Sequence, residues 1–303
     1  MTGAAAILAQ LLHTALVVAV APVVLGLRRW IEARLSGRAG PPPWQPWSDL
    51  RRLIRKQPVL AENAALMSRT TPVACLAASA LAVALVPSFA LGMAFAPLAD
   101  LLVILGLLAV GRIALALVSL EAGTAQAGVM AGRGAALAGL AEPALYLAIL
   151  ALGLLGGTTN LDLLIGTQLQ GMLQPLGAAV LALGALALVA LAGPGSAGLT
   201  TELSGADLAL VEFAASLREL VWLDLLIGLL LPLGMAEPGG GPAAWIAGLF
   251  AWGIKVVVVT AGLAGLRRVA GDIPPAQRPR ALGVAAILGA LAALLALASA
   301  VAA

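Results

Sequence analysis

The chain has 303 residues, of which 62% are hydrophobic and only 10% charged, and its mean hydropathy is +1.06. Soluble domains carry roughly 25% charged residues, so a soluble globular fold is excluded. The net charge of +3 and pI of about 9.7 do not indicate nucleic acid, because the basic excess lies in loops where a phospholipid surface accounts for it.

A bilayer core of about 30 Å needs roughly 20 mainly apolar residues per crossing helix. Eight such runs are predicted: Ala4–Leu27, Thr71–Pro87, Ala99–Leu120, Ala135–Leu155, Leu176–Leu191, one ending near Leu233, Ala243–Leu266 and Leu282–Ala302. They predict an all-α polytopic membrane protein of about eight transmembrane helices, organised as one membrane domain over residues 1–303. The first run has no basic segment before it and arginines after it, so it reads as a retained span rather than a signal peptide. Its histidine, His13, is expected to be a hydrogen-bonded packing residue. Cys75 stands alone in the second run. With one cysteine and one histidine, no disulfide, nickel site, iron–sulfur ligand set or other metal site is expected within the chain, and no cofactor.

Outside the spans every Lys and Arg falls into alternate connections. The first inner connection holds Arg28, Arg29, Arg34, Arg38, Arg51, Arg52, Arg55, Lys56 and Arg69; the last holds Arg267, Arg268, Arg278 and Arg280. This asymmetry places those loops on the cytoplasmic side of the inner membrane and both termini outside. Within the first loop Trp47, Leu50, Leu53 and Ile54 recur at helical spacing opposite Arg51, Arg52, Arg55 and Lys56, after a Pro-rich approach and with Ser48 as cap. That pattern predicts an amphipathic helix lying on the inner leaflet. The outer connections at 156–175 and 236–242 are rich in Gly, Pro and Thr and too short for an external domain; Asp100 and Asp162, near the outer ends, are expected to be solvated. The glycines of 193–198 have dinucleotide-fingerprint spacing but leave a membrane helix with no strand before it, so they are set aside.

The charges that depart from this scheme are the functional candidates. Arg112 and Lys255 lie inside spans. The inner segment before the sixth span concentrates Glu202, Asp207, Glu212 and Glu219, with Asp224 just inside that span, against Arg218 alone. Such a cluster raises its members' proton affinity and passes protons where water joins them; Asp207 doubles as partner of Ser204 in a capping-box-like helix start. Glu142 lies about 10 Å into the fourth span and Arg112 about 12 Å into the third from the same side, so the two are expected to meet. Pro143 loosens the backbone ladder beside Glu142, and Glu121 sits at the inner mouth of the third span. The bland alternative is a set of paired ions locking helices.

The run Gly40-Pro41-Pro42-Pro43-Trp44-Gln45-Pro46-Trp47-Ser48-Asp49-Leu50-Arg51-Arg52-Leu53-Ile54-Arg55-Lys56 resembles the stretch after the first span in the formate hydrogenlyase subunit 4 and hydrogenase-4 component C family. Leu140-Ala141-Glu142-Pro143-Ala144-Leu145 and Gly157-Thr158-Thr159-Asn160-Leu161 are similar to that family. So is Thr201-Glu202-Leu203-Ser204-Gly205-Ala206-Asp207-Leu208-Ala209-Leu210 followed by Glu212, with Leu203 where an aromatic is usual. The family is homologous to subunit 1 of respiratory complex I, which joins the membrane arm to the quinone cavity. The resemblance implies an eight-span subunit that anchors a redox arm and carries the first part of an ion path. The respiratory branch's Asn-Arg loop motif is missing, which favours the hydrogenase branch; Glu121 stands where Asp is expected, and Gly134 where an acid is usual. The implied function is a membrane-anchoring, proton- or sodium-coupling subunit of a [NiFe]-hydrogenase, itself not the redox catalyst. Its implied partners are hydrogenase large and small subunits and iron–sulfur subunits docked on Arg51, Arg52, Arg55, Lys56, Arg267 and Arg268, with antiporter-like subunits in the membrane. The alternatives are a quinone-chamber subunit of an NADH dehydrogenase and a stand-alone transporter; the paired, interrupted half-helices of transporter repeats are not seen.

The orientation is testable. A cysteine placed at Arg38 is expected to resist an impermeant thiol reagent in intact cells and to react after permeabilisation; labelling of intact cells reverses the assignment.

Overall fold

The computed structural model describes residues 3–57, 66–171, 176–193, 199–237, 239–270 and 273–302. Among these are ten α-helices: α1 Gly3–Leu35, α2 Gln45–Ile54, α3 Leu66–Leu85, α4 Leu101–Glu121, α5 Ala125–Gly156, α6 Leu161–Leu169, α7 Leu176–Ala192, α8 Gly205–Leu230, α9 Pro242–Ala270 and α10 Arg278–Ala302. The fold is that of an all-α polytopic membrane protein. Five helices, α1, α4, α5, α9 and α10, are long and apolar enough to cross a bilayer, and α3 and α7 contribute shorter apolar stretches. The eighth crossing helix, α8, is 26 residues long but carries five charges, Asp207, Glu212, Arg218, Glu219 and Asp224.

Several boundaries differ from the hydropathy reading. α5 begins at Ala125, ten residues before the expected Ala135, because 125–134 is Ala- and Gly-rich, helix-competent and capped by the Thr124 hydroxyl accepting from the Ala127 N–H (3.2 Å). α8 begins at Gly205, so Asp207, Glu212 and Glu219 lie within the sixth membrane helix rather than in a loop before it, while Glu202 precedes it. Ser204 holds the N-cap position without a side-chain capping bond, so the capping box is not formed. In α2 the N-cap is Trp44, with Pro46 in the first turn; Ser48 is inside the helix and donates to the Gln45 carbonyl (2.7 Å). The glycine-rich segment 194–198 lies outside the described residues.

Small residues hold the bundle. Ala144, Ala148 and Ala151 of α5, Ala178, Ala182 and Ala185 of α7, and Ala285 and Ala292 of α10 are buried where these three helices meet. Small side chains let backbones approach, which is how helices associate where lipid removes the hydrophobic drive. α8 packs against α1, α2, α3, α7 and α9. α2 lies against α1 and α8: Pro46 and Leu50 are buried, and the Trp47 ring faces Phe213 at 5.9 Å while its Nε1–H donates to the Ala19 carbonyl (3.1 Å). Trp44 and Ile54 remain exposed beside the exposed Arg51, Arg52, Arg55 and Lys56.

At the other end the connections are stitched together rather than solvated. Leu101 N donates to Thr159 O (3.0 Å) and Leu161 N to Ala99 O (2.7 Å), while Leu91 N donates to Ala236 O (2.9 Å) and Ala236 N to Phe89 O (2.8 Å). Asp100 caps α4 by accepting from the Leu102 N–H (2.8 Å) and also accepts from the Thr159 hydroxyl. Asp162 is partly buried and accepts from the Gly92 N–H with both oxygens (3.0 and 3.2 Å). Burial pushes its carboxyl above the ordinary range and the Gly92 N–H pulls it part of the way back. Both aspartates therefore fasten loops, correcting the expectation of solvation. The connection 156–175 also contains α6, too short to register as a hydropathy run.

Close backbone approach needs glycine at two points. A Cβ on Gly26 of α1 falls 1.9 Å from the Pro43 carbonyl oxygen, and one on Gly248 of α9 falls 2.3 Å from Phe89 O. Gly26→Ala is thus expected to lower the unfolding temperature of the detergent-solubilised protein, corresponding to about 1–3 kcal/mol of overpacking. Gly106→Ala, whose Cβ meets nothing within 4 Å, is expected to be neutral or slightly stabilising. Equal behaviour of the two variants contradicts the packing of α2 on α1.

Candidate functional site

Three groups of charged residues are distributed from the basic end of the bundle towards the opposite end. The first joins three helices. Arg28 Nε of α1 lies 2.9 Å from Glu219 Oε1 of α8, a close charge contact without hydrogen-bond alignment. On α1 one turn further, Glu32 accepts from Arg267 Nη1 of α9 (3.0 Å) and lies 3.9 Å from Arg28. Sequence reasoning picked out Glu219 and Arg267 but missed Arg28 and Glu32 as their partners. The available signal was the Arg-to-Glu spacing of four along one helix. Arg267 is thereby engaged within the chain, and Arg268 Nε donates to the Leu35 carbonyl (3.4 Å).

The segment leading into α8 is held by other partners. Ser119 of α4 donates to the Leu199 carbonyl (2.9 Å), and the Thr124 hydroxyl donates to Glu202 Oε1 (2.8 Å), fixing an exposed Glu202 at the mouth between α4 and α5. Asp207 and Glu212 are half-buried on α8, and among the described residues neither has an ion-pair partner within 4.0 Å. Glu121 is the last residue of α4 on this same side. Arg218 turns from Glu219 to the other side of α8, where its Nη1 donates to Cys75 Sγ (2.9 Å).

The second group is the pair expected from depth. Arg112 Nη2 of α4 donates to Glu142 Oε1 of α5 in an ion pair. Both lie near the middle of their helices, and Pro143 follows Glu142 within the continuous α5.

The third group is nearer the opposite end. Asp224 of α8 is buried; its Oδ1 accepts from the Trp252 indole N–H of α9 (2.8 Å), while Oδ2 has no partner. Asp224 lies in the last two turns of α8, not near its inner start, so its placement just inside the inner end of the sixth span is corrected. Lys255 donates from Nζ to the carbonyls of Leu231 and Leu233 (3.1 Å each), and the Gln168 amide donates to the Leu229 carbonyl (2.7 Å). These bonds satisfy carbonyls that the end of α8 leaves free. Lys255 also acts electrostatically on Asp224.

His13 is fully buried, with Nε2 at 3.1 Å from the Val83 carbonyl and Nδ1 at 2.7 Å from the Ser88 hydroxyl. Nε2 therefore carries the proton and donates to Val83, and Nδ1 accepts from Ser88, the role of a packing residue.

An all-helical bundle of apolar helices with paired charges along it defines a polytopic membrane protein. The chain belongs to the NADH dehydrogenase family, whose model matches residues 7–298. Among curated proteins it is similar to hydrogenase-4 component C of Escherichia coli (strain K12), 33% identical over 229 residues covering 71% of this chain and 72% of that one. It is also similar to formate hydrogenlyase subunit 4 of the same organism, 27% identical over 285 residues, 89% of this chain and 93% of that one. Its fold matches a chain of the membrane-bound sulfane sulfur reductase, an archaeal respiratory membrane complex, with a TM-score of 0.76 at 19% identity, covering 95% of this chain and 98% of that one.

The Arg112–Glu142 contact predicts strong non-additivity. In a double-mutant cycle of Arg112→Met and Glu142→Gln, scored by thermal stability of the purified protein, the coupling energy is expected in the range of about 0.5–3 kcal/mol. Removing one partner leaves an uncompensated charge, whereas removing both relieves it. Additive losses rule out the contact.

Proposed function

We infer that this chain is the membrane-anchoring and ion-coupling subunit of a complex I-like [NiFe]-hydrogenase of the formate hydrogenlyase type. It is one membrane domain in the cytoplasmic membrane, with its basic end inward and both termini outside. The family and the two relatives support the membrane-subunit role. The observation that carries the coupling role is the succession of charged groups through the bundle: Glu202, Asp207 and Glu212 at the basic mouth, Glu219 in its network with Arg28, the Arg112–Glu142 pair at mid-height, and Asp224 with Lys255 beyond. A bundle packed by alanine and glycine does not need these ions to associate, and buried pairs add little to stability over apolar packing.

In this reading the hydrogenase large and small subunits and iron–sulfur subunits dock on the exposed Arg51, Arg52, Arg55 and Lys56 of α2, with Arg267 and Arg268 behind them bracing α9 on α1. Hydrogen chemistry belongs to those partners. A charge change at the basic mouth biases Glu202 and Glu212, and the effect passes by way of Glu219 and Arg112–Glu142 towards antiporter-like subunits as proton or sodium movement.

Gln at Glu202 or Glu212 keeps size and hydrogen bonding and removes the titratable site. Such variants are expected to assemble, to retain near-normal hydrogen oxidation with an artificial acceptor, and to lose most ion translocation. Normal assembly with an unchanged ratio of ions to electrons in both variants ends the coupling proposal.

A further inference from the structure

The Arg112–Glu142 pair sits where a bilayer tolerates charge least. Arg112 is the twelfth residue of the 21-residue α4, and Glu142 the eighteenth of the 32-residue α5. Yet the pair is not enclosed: its side chains keep 22% and 40% of their exposure, respectively. Pro143, next to Glu142, and Tyr146, one turn on, are also exposed. An ionised group left facing hydrocarbon at the centre of a membrane is costly, so such groups face protein or water.

The same side of α5 is unfilled over the first half of the helix. A Cβ added at Gly128, Gly132 or Gly139 meets nothing within 4 Å, while Ala144 and Ala148 on the far side are fully buried. Small residues on a membrane helix are what a neighbouring helix needs for close approach. An open small-residue groove leading to an exposed ion pair at mid-height calls for an occupant that packs closely and also brings hydrogen-bonding groups. Lipid chains do neither.

We propose that the α4–α5 face is the docking surface for a transmembrane helix of a different membrane subunit, which runs along Gly132 and Gly139 and presents a polar or ionisable side chain to Arg112 and Glu142. The charge within the pair is already balanced, so the occupant supplies hydrogen bonds rather than a net counter-charge. The choice of another hydrogenase membrane subunit, rather than a second copy of this chain, rests on the function inferred above; the exposure and the open glycines do not.

The test uses the native complex purified from membranes. A photo-reactive benzoylphenylalanine in place of Tyr146, which is 48% exposed, is expected to cross-link to one integral membrane subunit of the complex; the same residue in place of Leu294 on α10, 63% exposed, is not expected to reach that subunit. Gly132→Leu and Gly139→Leu, which meet open space within this chain, are expected to leave its amount in the membrane unchanged. They should cut the Tyr146 cross-link and co-purification of that subunit at least fivefold. Adducts at Tyr146 with lipid alone, adducts with a second copy of this chain, or undiminished cross-linking in both Leu variants overturn the proposal. Because the readout is cross-linking, it separates from ion coupling: an intact cross-link beside unaltered pumping by the Glu202 and Glu212 variants keeps the interface and removes only the coupling role.

Discussion

Within a bilayer core no water is at hand to satisfy a backbone carbonyl, and the half of this fold away from the basic end is arranged around that constraint. α8 stops beside the middle of α9, since Lys255, fourteen residues into the 29-residue α9, reaches the Leu231 and Leu233 carbonyls. The chain then runs back along α9 without helical bonds, and it is satisfied instead by Phe89 and Leu91 across a short backbone bridge. Gly248 is what lets the Phe89 carbonyl come that close to α9. Irregular backbone is tolerated at membrane depth where protein encloses it on all sides, and Phe89, Ala90, Leu91, Met235 and Ala236 are indeed all buried.

The charged groups obey the same logic with different partners. Each acid deep along the described helices meets an arginine or an indole, whether enclosed or on the α4–α5 face: Glu219 meets Arg28, Glu142 meets Arg112, Asp224 meets Trp252. The exceptions, Asp207 and Glu212, lie on the first two turns and a half of α8, near the basic surface. This gradation leaves the acids without an ion-pair partner among the described residues at the basic end, and leaves the deeper groups tied into pairs.

How much of this the sequence made legible follows from the range of each interaction. The spans came from hydropathy, which is a property of each segment alone. Arg112 and Glu142 were matched by depth because helical rise is fixed, so position along a span converts directly to height. The full length of α8 was hidden because its acids interrupt the apolar run that marks a span, and the start of α5 because Ala and Gly make helix without raising hydropathy. α6 was hidden by brevity. The contacts of Glu32 with Arg267, of Lys255 with the end of α8, and of Asp162 with Gly92 join segments 70 or more residues apart or helices whose relative rotation no single segment specifies; only the packed bundle brings them together. Asp100 and Asp162 were misjudged for that reason.

The end of α8 also has a history during synthesis. α8 carries five charges and leaves the ribosome before Trp252 and Lys255 exist, while Arg28, Cys75 and Gln168 are already in place. On insertion scales each central charge costs about 2.5–3.5 kcal/mol, so α8 is a poor solitary passenger through a lateral gate. Its neighbour supplies both the donor for Asp224 and the cap for its last carbonyls. Asp224 and the last carbonyls of α8 therefore go without these partners until α9, made after it, has been added.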